Sequence, residues 1–249
     1  MSLSRDLCLD TIEAIVKHLD VDEVHGDETS EYQVLTSPMV PDAPVGSFRV
    51  WHKPDVVTIA YVGITVDMIH LDSHMMFCWA PATSPVPALT VDSVQFGPDE
   101  YAFHLDMTPK LDLGANLAYM DHCYSALTPI RAAAGEIDGL SEAVITERQW
   151  ALMSEWMCVN RATPDAFGEM HGIVDQYRDH WLSLVDNGIP ESVLDGVTPE
   201  QISLREHKNR SFVFNPEVDP VWEKIGQLIG EDEADQLCTT LGTPGLGLA

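Results

Sequence analysis

The chain is 249 residues long, 45% apolar, and carries 13 Lys+Arg against 40 Asp+Glu, a net charge of −27. A surface of that sign repels phosphate backbones and anionic headgroups, which excludes nucleic acid and membrane as partners. No run of eighteen apolar residues is present to span a bilayer, and the opening MSLSRDLCLD lacks the basic-then-apolar pattern of a secretion signal.

The five cysteines, Cys8, Cys78, Cys123, Cys158 and Cys238, are scattered, odd in number and without a CxxC pair. They point to a reducing, cytoplasmic setting and away from a cysteine metal site. Residues 6–20 place Leu9, Ile12, Ile15, Val16 and Leu19 at helical spacing. Residues 20–47 are acidic and Pro-rich and read as a surface connection, with Phe48–Trp51 as a first edge strand. Four apolar, β-branched runs follow, at 56–66, 68–79, 89–96 and 101–107. Their connections are short, which favours an antiparallel meander, because parallel neighbours need a long crossover.

Beyond the strands, 110–135 reads as helix broken near Pro129, and 141–160 as part helix with an end, SEWMCVNR, that also fits a strand. Residues 162–188 are the clearest helix. Thr163-Pro164-Asp165 starts it, Gly188 stops it, and Phe167, Met170, Val174, Tyr177, Trp181 and Leu184 form one core-facing stripe. The 199–214 segment is basic for this chain, and a last helix starts after Asp219-Pro220. Helix, antiparallel sheet, then helices predict one α+β domain over 1–249, a three-layer α/β/α sandwich with a central antiparallel sheet.

The unusual feature lies on the strands. Side chains alternate faces, so His70, Asp72 and His74 share one face of the second run, and His104 and Asp106 share a face of the fourth. A solvated polar face is the ordinary reading. Repeated His and Asp without Lys or Glu on those faces favour a site instead. Asp92 stands among apolar neighbours in VPALTVDSVQF, with no Lys or Arg within fifteen residues on either side. A carboxylate there needs a distant partner or keeps its proton. A metal at the HxDxH run is disfavoured, since His70 and His74 would stand ~13 Å apart on a straight strand. There is no GxGxxG, P-loop, GxSxG or HExxH, so no tightly bound nucleotide cofactor, flavin or metal is expected.

Three blocks carry a family resemblance: MMFCWAPATSPVPALTVDSVQFGPDEYAFHLDMTP at 75–109, WMCVNRATPDAFGEMHGIVDQYRDHWLSLV at 156–185, and REHKNRSFVFNPEVDPVWEKIGQLIGEDEADQL at 205–237. In this order they resemble the ferredoxin-dependent bilin reductases and the related red chlorophyll catabolite reductases. The resemblance implies an α/β/α sandwich that reduces linear tetrapyrroles with electrons from ferredoxin and without metal or flavin. It implies Asp92 as the central catalytic acid, His74 near the second catalytic position, and Asp219 near a C-terminal catalytic Asp. Counting back from Asp92 without a gap puts Met75, not His74, at that second position. The catalytic Glu of some members has no acidic match near Tyr61. His70, His104, Asp106, Arg161, Arg205, His207, Lys208 and Arg210 are the candidates to hold the substrate, the four basic residues by its propionates. Ferredoxins are acidic, so a surface at −27 offers them little as a docking partner. The alternative is a redox-neutral lyase or isomerase that uses a His/Asp acid–base pocket on a smaller, aromatic substrate. A metal enzyme and a non-enzymatic pigment binder rank below both.

Overall fold

A computed structural model describes residues 2–26 and 29–248. The first helix, α1 (Leu3–Leu19), starts at Ser2, whose hydroxyl accepts from the Arg5 amide, and ends at Asp20 in the left-handed region. It buries Leu7, Cys8, Ile12, Ile15 and Leu19 against the sheet.

Among the described residues the sheet has nine strands: β1 (Asp22–Val24), β2 (Gln33–Leu35), β3 (Gly46–Lys53), β4 (Val57–Val66), β5 (Leu71–Trp79), β6 (Ala88–Gly97), β7 (Glu100–Thr108), β8 (Leu140–Glu142) and β9 (Cys158–Ala162). Their order is β1-β3-β4-β5-β6-β7-β9-β8, with β2 on the other half of β3, and every pairing is antiparallel. The meander from β3 to β7 is the one expected from the short connections. Two expectations change. The 48–51 run is not an edge strand, because the 20–47 segment supplies β1 and β2 to cover it. The 68–79 run is shorter than expected: residues 67–69 form a 3-10 turn and His70 sits in the left-handed region, so His70 is off the strand.

Helices cover both faces. On one side α1, α2 (Leu117–Tyr124), α3 (Leu127–Ala134) and α5 (Pro164–Asn187) enclose the larger core. The break between α2 and α3 falls at 125–126, ahead of Pro129, which sits in the first turn of α3, where its missing N–H costs nothing. The stripe predicted for α5 is fully buried, from Phe167 to Leu184, and Thr163 and Gly188 bound the helix as expected. Each large apolar side chain so buried contributes about 1.5–3 kcal/mol. On the other side α6 (Pro199–Val213), α7 (Val221–Ile229) and α8 (Glu231–Gly242) cover Phe48, Val62, Met75, Phe77 and Trp79. The expected last helix is therefore two, separated at Gly230, whose φ of 101° a side chain would resist. The 141–160 stretch holds only one helical turn, α4 (Glu147–Trp150), between β8 and β9. No helix among the described residues is long and apolar enough to cross a membrane.

Candidate active site

Alternation along β6 sends Leu89, Val91 and Ser93 to the larger core and Thr90 and Asp92 to the opposite face, under the C-terminal helices. In register, Asp92 lies between Met75 on β5 and His104 on β7. Asp92, His104 and Asp219 line one cavity of about 180 Å³ together with Val94, Ala102, Phe103, Val159 and Val221. Its remaining wall is the segment between β8 and β9, through Ala143, Ile145, Gln149 and Met153.

The three titratable groups have different surroundings. Asp92 accepts no hydrogen bond among the described residues. Burial, and secondly the charge of Asp219, push its carboxyl up to about 7. Asp219, just ahead of α7, accepts from the Val221 amide at 3.0 Å. Burial raises Asp219 too, but the Val221 amide, the Gln149 side chain and Lys224 pull it back. Burial pulls His104 down to about 4, so its ring is neutral at neutral pH, and its Nε2 is buried without a partner. An orphaned ring nitrogen beside an empty volume is a place for a ligand or water to bond. The arrangement holds one proton on a carboxylic acid near neutral pH, with a carboxylate and a neutral imidazole beside it. That is the equipment of general acid–base chemistry.

The wall segment is tied at both ends. Ser154 donates its amide (3.1 Å) and hydroxyl (2.6 Å) to Asp106 on β7. The Thr146 hydroxyl donates to the Val218 carbonyl at 3.1 Å, and Arg148 donates to the Glu217 carbonyl at 2.9 Å. Asp106 thus shares the face of Asp92 and His104 but is fully buried and closed off by Ser154, outside the cavity. Burial pushes its carboxyl up to about 7 against those hydrogen bonds.

Several candidates stand elsewhere. His74 pairs with Gly63 and Ser93 and faces α1, on the side of the sheet opposite Asp92. It is 3% exposed, bonded to the Tyr61 hydroxyl at 2.7 Å and to Asp72 at 2.6 Å. Met75 is the residue opposite Asp92 across β5 and β6. His70 lines a separate open cleft with Ser2, Arg5 and Asp72. Arg210 is buried, paired with Glu206 at 2.7 Å and stacked 3.7 Å from the Trp79 ring, and Lys110 joins Glu206 at 3.4 Å. These charges satisfy one another. Arg205 lies on a different groove with Asp112 and Asp195, and His207 and Lys208 are exposed on α6. Arg161 pairs across the strands with Ala102, a cavity residue, and its guanidinium lies 5.9 Å from the Phe96 ring.

No model of a known protein family matches the sequence, and no curated protein does. In three dimensions the chain is similar to the crystal structure of selenomethionine phytochromobilin synthase from tomato in complex with biliverdin, with a TM-score of 0.75. The alignment covers 98% of this chain and 85% of that one at 16% identity. The likeness is one of fold.

Sequence reading missed the wall residues Gln149 and Met153. Thr146-x-x-Gln149 is a legible helix-capping signal, which marks where α4 begins but not that Gln149 reaches a cavity. No group of three or more His, Cys, Asp or Glu placed to hold a metal occurs among the described residues.

Proposed function

We propose that the protein, as one domain over 1–249, acts on a linear tetrapyrrole by proton-coupled reduction. Asp92 supplies the proton, Asp219 and His104 serve as its partners, and the electrons come from an external donor such as a ferredoxin, with no tightly bound cofactor. The observation that carries this reading is the convergence of Asp92, Asp219 and His104 on one cavity between the sheet and the C-terminal helices. It is supported by a fold similar to that of an enzyme crystallised with biliverdin. His104, opposite Asp92 on β7, takes the place that the resemblance assigned to His74. By register Arg161, opposite the cavity residue Ala102, is on the cavity's face of the sheet. Arg131 lines a second cavity of about 360 Å³ that shares Ala143 and Val159 with the first.

One observation favours the smaller-substrate reading. The cavity of about 180 Å³ is below the roughly 300–1,000 Å³ usual for small-molecule sites. A redox-neutral lyase or isomerase would use the same three groups and need no ferredoxin. Adding biliverdin and recording its visible spectrum separates the two. A sharpened, shifted band that changes again in Asp92→Asn supports the tetrapyrrole reading. An unaltered spectrum at saturating protein removes it and leaves the smaller substrate.

A further inference from the structure

The segment that walls the Asp92 cavity leaves the sheet at Ala143, whose amide donates to the Val159 carbonyl at 3.2 Å. From 144 to 153, among the described residues, every backbone–backbone hydrogen bond closes within the segment, around the turn of α4. Ile145, Gln149 and Met153 recur every four residues and line the cavity, while Val144, Arg148 and Trp150 are exposed. Only side chains tie this stretch to the rest of the molecule, and the two ties differ in kind. At one, Ser154 gives its amide and hydroxyl to Asp106, and both residues are buried. Breaking that tie leaves a buried carboxyl without donors, which is the costly outcome. The Tyr177 hydroxyl, donating to the Trp156 carbonyl at 2.6 Å, fixes the chain just beyond. At the other tie, Arg148 meets Glu217 at 3.5 Å with side chains 64% and 82% exposed. An ion pair so exposed contributes little, and both groups are hydrated once apart. The Thr146 hydroxyl reaches the Val218 carbonyl and the Gln149 Oε1, each at 3.1 Å. Its one proton serves either acceptor, so a hydroxyl that lets go of Val218 stays bonded inside the segment.

We infer that residues 144–153 form a flap over the Asp92 cavity, hinged at Ala143 and at the Ser154–Asp106 contact and released where its tip meets 217–218. Asp106 is then a positioning residue: it holds the base of the flap through Ser154 and touches nothing inside the cavity. Ile145 and Met153 share the cavity wall with Val94, Phe103 and Val221, and that apolar lining, more than the ion pair, favours the shut position. The release point adjoins Asp219 and Val221, both on the cavity wall, so the flap opens directly on the carboxyl groups. A cavity of about 180 Å³ thereby admits a ligand larger than itself and closes on it afterwards.

The inference takes the Asp92 cavity to be the active site, as proposed above, but its test needs no substrate. In the full-length protein with Cys238→Ser, the other four cysteines being buried, spin labels are placed at the exposed positions Glu147→Cys on the flap tip and Glu13→Cys on α1. Pulsed electron paramagnetic resonance then reads the distance between them. Two populations are expected, shut and open. Arg148→Ala should raise the open fraction about two- to five-fold, the shift that loss of an exposed ion pair produces, with the melting temperature unchanged. A second pair, Glu155→Cys with Glu13→Cys, reports the hinge and should keep one narrow distance in both backgrounds. A single narrow distance for the tip pair that Arg148→Ala leaves in place means a fixed wall, and the inference fails. It also fails if the hinge pair broadens together with the tip pair, because the segment then unravels as a whole. Biliverdin added to the same samples separates the two readings. A flap that opens in a protein indifferent to biliverdin overturns the tetrapyrrole reading alone, and bound biliverdin beside an immobile tip overturns the flap alone.

Discussion

Replacing Asp92 by Asn tests the cavity from the side of stability as well as rate. Folded Asp92 holds its proton to about pH 7, against an ordinary value of 3.8. Between those two pH values the folded chain binds a proton that the unfolded chain has released, so the stability of the wild type falls as pH rises. The full cost is present above pH 7. A displacement from 3.8 to about 7 corresponds to roughly 4 kcal/mol at 1.36 kcal/mol per unit. Asparagine of the same shape carries no such cost. Asp92→Asn should therefore match the wild type near pH 4 and exceed it at pH 8 by up to about 4 kcal/mol. For a chain of this size that is a rise in melting temperature on the order of 10 °C. Part of the pH dependence should survive in the variant, because Asp106 is buried with the same sign of displacement. The assay is urea unfolding of both proteins at half-unit steps from pH 4 to pH 8. Turnover on the substrate should fall about 10²-fold, the common worth of a general acid. Parallel stability curves for the two proteins would show that Asp92 is ionised and solvated at neutral pH, and the acid role would go with the burial argument.

His104 gives the opposite sign. Its folded value of about 4 lies below the ordinary 6.5, so its contribution is present above pH 6.5 and is lost as pH falls toward 4, by roughly 3 kcal/mol. His104→Gln should flatten that acid limb in the same unfolding series; an unchanged limb means the ring is solvated. Glu206→Gln leaves Lys110 and Arg210 buried with one neutral partner. It should lower stability by about 3–5 kcal/mol, read as a shift in the denaturant midpoint at constant slope. A loss below about 1 kcal/mol would mean that solvent reaches the triad.

The sheet was legible because its signals are local. Alternation over 56–107 and two- to eight-residue connections leave an antiparallel meander as the economical arrangement, and the α5 stripe specifies its own buried face. What failed was information that resides in the partner. Nothing in the 20–47 stretch announces that three residues at Asp22 and three at Gln33 will pair with β3. The splitting of the last helix hangs on Gly230, which sequence alone does not distinguish from Gly226 and Gly242 inside the same helices. At the site, Asp92 and Asp219 were named and do meet, and His104 joins them. His74 stands one residue from Met75, the partner of Asp92, and on a strand that one residue exchanges one face for the other. Arg161, Arg205, Lys208 and Arg210 stand out in the sequence because cations are few, 13 Lys+Arg against 40 Asp+Glu. Scarcity in an acidic chain also selects the few cations needed to neutralise buried carboxylates, and Arg210 serves Glu206 in that way. Gln149 carries no local sign of a cavity residue, because the cavity it lines is completed by Asp219, seventy residues later.

The two outer strands of the sheet have a consequence for the protein in a crowded solution. A sheet this wide has two borders where amide and carbonyl groups face outward, and a second molecule can extend it there strand upon strand. Here one border is made of β1 and β2, three residues each, and the other of β8, also three residues long. β1 carries Asp22 and Glu23, and β8 carries Glu142. An incoming strand from another copy finds too few groups to bond and meets carboxylates of its own sign. The acidity that sets this chain apart thus works locally as a guard against fibre growth, and placing Lys at 22, 23 and 142 would remove the repulsion while leaving the border short.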